Sequence, residues 1–273
     1  MTTAICIVLA LVILAELWFL ALQCRKNHPA LKMLSSFRYA HRGLHDKPAI
    51  PENSMAAFRR ALDNFCGAEL DVHLMADGNL AVIHDCSLKR TAGADVNITD
   101  LTVEDLEQYR LEGTEEKIPT FDQVLKLYDG KAPLIIELKA DGNNHAALVE
   151  AAVKAMEGYN GTWCMESFDP RCVNWLRKHR PDIIRGQLSA DFLKTGKNMP
   201  LWQRIVMTHN MSHCLTNPDF IAYQFEHRHH TLGNYFSRKV WGILGVSWTI
   251  RTKKDYDLAV KEGWIPIFEN FIP

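Results

Sequence analysis

Residues 66–84 read Cys66-Gly-Ala-Glu-Leu-Asp-Val-His-Leu-Met-Ala-Asp-Gly-Asn-Leu-Ala-Val-Ile-His84. In a strand, residues two apart share a face, so Glu69 and Asp71 project together. Pro133-Leu-Ile-Ile-Glu-Leu-Lys139 repeats the arrangement with Glu137 and Lys139. Both runs are apolar enough to be buried strands, where a charge needs a partner. Three carboxylates aimed from buried strands call for a cation. A lysine beside them calls for an anion, and a metal with a phosphate answers both demands. Asp77-Gly78, between two strand-like runs, is a hairpin signal. The hairpin turns the chain back, so His84 returns to the end that carries Glu69 and Asp71.

Working outward, strand-like runs alternate with segments of helical period. Further strands are expected at 37–41, 162–168, 183–188, 245–249 and 265–268, with one more around Cys214 or at 221–225. Helices are expected near 54–64, 119–128, 146–156, 170–179, 201–208, 235–242 and 253–262. Residues 86–118 read as a small insertion with one short helix near 103–109. Without the hairpin's return strand, about eight strands remain, most followed by a helix, which is the pattern of a (β/α)8 TIM barrel in the α/β class. An open doubly wound sheet is the alternative, but it more often carries a Gly-rich loop after its first strand. No G-x-G-x-x-G or Walker-type run occurs.

The chain has 273 residues and a net charge of −1, which gives no sign of a nucleic-acid surface. Its N-terminus stands apart. Residues 4–22 are apolar except for Glu16. Such a helix rises roughly 28 Å, close to the hydrocarbon thickness of a bilayer. No Lys or Arg precedes the run and no A-x-A site follows it, which disfavours a cleaved signal peptide. The expected organisation is a transmembrane anchor at 1–24, a linker at 25–36 and a barrel domain at 37–273. Glu16 costs about 3 kcal/mol if central, so it is expected to pair across a helix interface or to snorkel. Arg25, Lys26, Lys32 and Arg38 all follow the span, and this bias sets the domain on the cytoplasmic side. The 7 cysteines are odd in number and lack C-x-x-C spacing, which suits reduced thiols. Cys24, next to the span, is read as a plain thiol rather than an acylation site.

Active sites of such barrels lie at the C-terminal strand ends. Gathered there are His41-Arg42-Gly43, Glu69, Asp71, His84-Asp85, Glu137 and Lys139. Three carboxylates make an all-oxygen site suited to Mg²⁺ or Ca²⁺ rather than zinc. Arg42 and Lys139 are anion binders. His41 and His84 titrate near neutrality, as paired acid and base catalysis requires. Three carboxylates, one divalent cation and two side-chain cations leave one positive charge, which a phosphodiester neutralises. Arg42 has a structural alternative, an ion pair with Asp85. Glu226-His-Arg-His-His230 matches no strong zinc-ligand spacing and is read as a solvated loop. His45 and His73 are read as surface or supporting residues.

The ordered set HRGLHDKPAIPENSMAAFRRAL, GAELDVHLMADGNLAVIHDCSLKRTAG, IPTFDQVL and PLIIELK resembles the glycerophosphodiester phosphodiesterase family. Weaker likeness continues through ESFDP, Arg185-Gly-Gln-Leu188 and VSWTIRT, so the resemblance covers about residues 37–268. It implies a metal-dependent barrel that hydrolyses a glycerophosphodiester to sn-glycerol 3-phosphate and an alcohol. By position, Glu69, Asp71 and Glu137 would bind one divalent cation, Mg²⁺ or Ca²⁺. His41 and His84 would be base and acid, and Arg42 and Lys139 would hold the phosphate. The resemblance also implies attack by the glycerol 2-hydroxyl, giving a cyclic phosphate that water then opens. Glu52 and Asp85 would stand behind these groups, Asn53 would cap the next helix, and Trp248 would wall the glycerol pocket. The last strand of the family usually ends in Asp, where this chain has Phe268-Glu269-Asn270. Residues 190–240 also match poorly, which bears on substrate shape. The membrane anchor raises lysophospholipid hydrolysis as a variant. A non-catalytic module binding phosphodiester headgroups is the rival reading, although it would not need both histidines.

Overall fold

Nine strands carry the fold among the described residues, which in this computed structural model are 2–25, 28–29 and 31–273. They are β1 (Tyr39–Ala40), β2 (Gly67–Leu74), β3 (Leu80–Val82), β4 (Leu134–Leu138), β5 (Trp163–Ser167), β6 (Arg185–Ser189), β7 (Phe220–Gln224), β8 (Leu244–Ile250) and β9 (Trp264–Phe268). The order is β1-β9-β8-β7-β6-β5-β4-β2-β3, and β1 also pairs with β2, which closes eight parallel strands into a barrel. β3 is the hairpin return, antiparallel to β2, and Gly78 takes the left-handed turn at φ 84°.

Alternation along the strands sorts the core into layers. Outward residues Leu70, Val72, Leu134, Ile136 and Leu138 pack on the helices Met55–Asp63, Phe121–Tyr128 and His145–Ala155. Inward residues Tyr39, Ile135, Cys164, Phe220, Val246 and Ile265 fill the barrel's lower interior. Leu34, in the one-turn helix Leu31–Leu34, joins that cluster, and its carbonyl accepts the Tyr39 hydroxyl at 2.8 Å. The insertion carries its own small core of Ile98, Leu106, Leu111 and Ile118 against Met75 and Ile83.

Several local expectations are corrected. β1 is two residues long because the chain turns at Arg42 (φ 53°) and Gly43 (φ 75°). A β-carbon at Gly43 would stand 2.9 Å from Ala57, so that position admits only glycine. Ser54, not Asn53, caps Met55–Asp63, its hydroxyl accepting from the Ala57 amide at 3.1 Å. The helix expected from Pro119 starts after Thr120, which forms a capping box with Gln123. Cys214 is helical, so β7 is the later of the two alternatives. The insertion, expected to hold one short helix, holds four short turns: one α-helical, Lys89–Ala92, and three of the tighter 3₁₀ kind, Ile98–Asp100, Glu104–Gln108 and Leu111–Gly113.

The N-terminal helix, Thr2–Ala21, is long and apolar enough to cross a membrane. Residues 3–17 are all exposed, and only its last turn touches the barrel. Lys26, counted above among the flanking cations, lies outside the described residues.

Candidate active site

Register brings the acidic residues side by side. Asp71 pairs with Glu137 across β2 and β4, and Glu137 with Glu166 across β4 and β5. Like charges directly opposite repel, and in a buried layer the repulsion is barely screened. One ligand oxygen from each of Glu69, Asp71 and Glu137 lies within 4.8 Å of the others. Asp71 is 0% exposed, and Glu166 Oε2 is buried with no hydrogen-bond partner. Glu166 is a site residue that the sequence pattern does not single out. It sits in the ESFDP run, and only strand register reveals it beside Glu137.

Two cations face this layer. Lys139 Nζ is 3.1 Å from Asp71 Oδ1 and 2.8 Å from Glu137 Oε1. Arg42 Nε is 3.4 Å from Asp71 Oδ2, its Nη1 donates to Glu52 at 2.8 Å, and its backbone N–H donates to Glu69 at 3.1 Å. Arg42 therefore pairs with Glu52 and Asp71, and the alternative pairing with Asp85 does not form. Asn53 completes the shell by donating to Asp71 Oδ2 at 2.9 Å.

Four carboxylates against two cations leave two negative charges, which one divalent ion cancels. The titration shifts express the same deficit. Burial, with repulsion from Asp71 and Glu137, pushes Glu69 well above the usual carboxylate range. Burial and Glu137 do the same to Glu166. Glu137 is raised by burial to about 7, although Lys139 opposes the rise. Burial alone would raise Asp71, yet Lys139 and Arg42 hold it well below. Lys139 is itself raised, its partners Asp71 and Glu137 outweighing burial. Lys139 and Glu137 both move upward for different reasons: burial lifts Glu137 against the pull of Lys139, while two carboxylates together hold the Lys139 ammonium. An all-oxygen donor set with an orphaned buried carboxylate oxygen fits a hard divalent cation.

Both histidines reach the layer, each held by a carboxylate. His41 Nδ1 meets Glu269 Oε2 at 2.6 Å, and its Nε2 lies 3.9 Å from Glu69. His84 Nδ1 meets Asp85 Oδ1 at 2.5 Å. A carboxylate accepts only, so in each pair Nδ1–H donates and Nε2 is left for chemistry. Burial lowers His41 to about 4 despite Glu269, which keeps the ring neutral. Burial also lowers His84, with Asp71 and Asp85 opposing the change. Glu269, noted from sequence only as a departure from the family pattern, is thus the residue that orients His41. His45 is buried, with Nε2 3.6 Å from the same carboxylate. His73 is buried too, its Nε2 3.1 Å from the His84 carbonyl oxygen. Both support the site rather than the surface.

Behind His84 runs a chain of ion pairs. Asp85 meets Arg90 at 2.5 Å, Arg90 meets Glu52 at 2.6 Å, and Lys47 also binds Glu52. Burial would raise Glu52, but Arg90 and Arg42 hold it far below the usual range. Glu52 thus serves as a permanently charged brace for Arg42. Trp248, in β8, faces the cavity and meets Phe168 edge-on at 5.6 Å. The cavity, about 50 Å³, is bounded by His41, Glu69, His84, Glu137, Glu166 and Trp248, among others. That is room for roughly three to five water-sized ligands. A larger hollow of about 660 Å³ near Asn79 and Lys154 has only exposed charges, Glu104, Asp122 and Lys154, and no converging buried group. The Glu226–His230 segment gathers no metal-ligand set among the described residues. Arg228 and His229 pair there with Glu262.

Comparisons with known proteins agree with this architecture. The sequence model of the glycerophosphoryl diester phosphodiesterase family matches residues 41–272. A glycerophosphodiester phosphodiesterase of Caldanaerobacter subterraneus subsp. tengcongensis is 36% identical over 234 residues, 82% of this chain and 89% of that protein. A lysophospholipase D of Rattus norvegicus is 33% identical over 116 residues, 38% of this chain and 37% of that one. The fold is shared with an Oleispira antarctica phosphodiesterase solved with sn-glycerol-3-phosphate. That structure has a TM-score of 0.70 at 20% identity and covers 86% of this chain and 94% of its own. A Thermotoga maritima glycerophosphodiester phosphodiesterase has a TM-score of 0.65 at 22% identity, covering 85% and 93%. With the family model spanning most of the barrel and a relative of this identity along nearly its whole length, the chain belongs to the glycerophosphoryl diester phosphodiesterase family.

Proposed function

We propose that this protein hydrolyses glycerophosphodiesters to sn-glycerol 3-phosphate and an alcohol with one divalent cation, Mg²⁺ or Ca²⁺. The observation that carries this reading is the pair of carboxylate-held histidines facing one layer of buried acids. Glu69, Asp71 and Glu137 would hold the cation, with Glu166 beside them. When bound, the cation supplies Lewis-acid stabilisation of the phosphoryl oxygens.

The side chains divide the remaining work. Arg42, braced by Glu52, and Lys139 bind the phosphate. His41, neutral and oriented by Glu269, takes the proton of the attacking hydroxyl at Nε2. That hydroxyl is the glycerol 2-hydroxyl. Its oxygen forms the new bond to phosphorus as the bond to the alcohol breaks. His84 gives its Nε2 proton to the departing oxygen, and Asp85 and Asp71 stabilise its charged form. Water then opens the cyclic phosphate with the roles exchanged: His84, now neutral, takes the water's proton, and protonated His41 gives its proton to the glycerol oxygen that leaves phosphorus. Trp248 and Phe168 shape the glycerol side of the cavity.

Glycerophosphocholine distinguishes this reaction from its neighbours. The expected products are sn-glycerol 3-phosphate and choline. Phosphocholine would mean that the other phosphoester bond breaks. Headgroup binding with no product from the active, metal-loaded chain would favour the non-catalytic reading.

The N-terminal helix is a single membrane span in this proposal, with the barrel on the cytoplasmic side. Its last turn supports a retained helix, because Leu22 is 0% exposed and the Trp241 indole N–H donates to the Phe19 carbonyl at 3.1 Å.

A further inference from the structure

The helix enters the barrel at one particular end. Phe19 meets Phe236 edge-on and Trp241 at a tilt, with ring centroids 5.7 and 5.0 Å apart, and Trp18 meets Phe236 edge-on at 5.7 Å. Trp241 lies just before β8. Arg25 follows the helix and clamps Asp219 with two bonds of 2.5 Å. Its guanidinium also donates to the carbonyls of Pro181 and, at 3.0 Å, Ile183, while its backbone N–H reaches the Pro218 carbonyl at 2.9 Å. Trp241 and the partners of Arg25 come shortly before β6, β7 or β8, and Phe236 lies in the helix Leu232–Lys239 that leads to β8, so they mark the N-terminal strand ends. His41, His84 and the acidic layer belong to the opposite end.

The far rim of that same end is apolar where nothing in the fold requires it. Phe65, two residues before β2, is 85% exposed, and Phe37, two residues before β1, is 38% exposed. Exposed Lys131 lines the same hollow as Phe37 and Phe65, and exposed Lys239 ends the helix Leu232–Lys239 that carries Phe236. Lysines at helix ends are explained by the helix dipole alone, but an aromatic ring left in water is not. Aromatic rings beside a lysine, at the same barrel end as an apolar span, match the interfacial zone of a phospholipid bilayer.

We propose that the barrel sits with its N-terminal strand ends against the bilayer that its helix crosses, so that the catalytic mouth opens into the water. A five-residue strand spans about 17 Å. A phosphodiester in the adjoining headgroup layer therefore lies on the opposite side of the barrel from the open mouth through which His41 and His84 are reached. This inference rests on the hydrolytic reading above and sharpens it: the substrate is a water-soluble, deacylated glycerophosphodiester. A lysophospholipid held in the same membrane is out of reach.

The test uses the full chain in phospholipid nanodiscs that contain a nickel-chelating lipid. Cys6, Cys24 and Cys86 are replaced by serine. One nitroxide is carried by Cys214, exposed just before β7, and in a second protein by Asn143→Cys, exposed beyond β4, with Cys214 also replaced. The expected result is a several-fold larger relaxation enhancement at Cys214. Equal or reversed enhancement, or none at either position, overturns the proposal. The same discs then receive either soluble glycerophosphocholine or embedded lysophosphatidylcholine. Preferential hydrolysis of the soluble diester is expected, and equal hydrolysis of the embedded lipid contradicts the orientation. Failure on both substrates overturns the catalytic reading instead, and the labels then decide the orientation alone. Arg25→Ala is expected to keep hydrolysis of the soluble diester while the contrast between the labels falls. An unchanged contrast would remove Arg25 from the proposal.

Discussion

The two halves of the barrel contribute differently to one site. The half from β1 to β4 supplies His41, Arg42, Glu52, Glu69, Asp71, His84, Asp85, Glu137 and Lys139, nearly every charge in the layer. The half from β5 to β9 supplies Glu166, Phe168, Trp248 and Glu269. In the first half, charges meet charges at 2.5–3.4 Å across neighbouring strands and turns. In the second half, two rings meet edge-on, and single carboxylates meet the first half from the adjoining strands β5 and β9. In the proposed mechanism the first half carries the reaction, and the second positions its parts and shapes the substrate's surroundings.

Substitutions should separate the halves in size and in kind. His41→Ala and His84→Ala are each expected to lower kcat by roughly 10²–10⁴-fold, measured by product release from glycerophosphocholine. If either retains wild-type kcat, that histidine is not an acid or base. Glu269→Gln acts through His41, so its expected loss is smaller, about 10–100-fold. Glu269 holds the His41 pKa up, so its removal should also move the acid limb of the kcat/KM profile to lower pH. A fall in rate with no shift of that limb would leave Glu269 a merely structural residue. Trp248→Ala should raise KM by about tenfold or less, the worth of an edge-on aromatic contact, with kcat little changed. A large kcat loss there would move chemistry into the second half and blur the distinction.

Metal affinity sharpens the comparison from another side. Glu137 is raised to about 7 in the metal-free layer, and a cation binds only the ionised form. Below that pH the metal must displace a proton, so affinity falls as pH drops through about 7. The slope should approach about tenfold per pH unit for each proton released. Titration calorimetry in buffers of different ionisation enthalpy would count these protons. Affinity independent of pH between 5.5 and 8 would mean that the carboxylates are already ionised without metal, against the burial argument (a window set around the shifted Glu137 by roughly one unit or more).

The same division governs what the sequence revealed. In the first half, Glu69, Asp71, Glu137 and Lys139 stand two apart in apolar runs, so period-two reasoning alone put them on one face. Asp77-Gly78 announced the hairpin that returns His84. Ser54 and Thr120, which cap their helices, were passed over for Asn53 and Pro119. Asn53 was engaged elsewhere, on Asp71, a tertiary fact invisible locally. In the second half, Glu166 is a lone acid whose neighbour is fixed by strand register, and register is a non-local property. Glu269 was visible only as a substitution. What it does depends on β1 and β9 lying side by side, which follows from closure of the barrel.

The most direct measurement is phosphomonoester release from glycerophosphocholine by the full-length chain in nanodiscs, with Mg²⁺, with Ca²⁺ and with EDTA. Expected is release of sn-glycerol 3-phosphate with at least one of the two cations and none with EDTA. Undiminished release with EDTA would contradict a metal held by Glu69, Asp71 and Glu137. No release under any condition, from folded protein that binds the cation, would contradict the catalytic assignment itself.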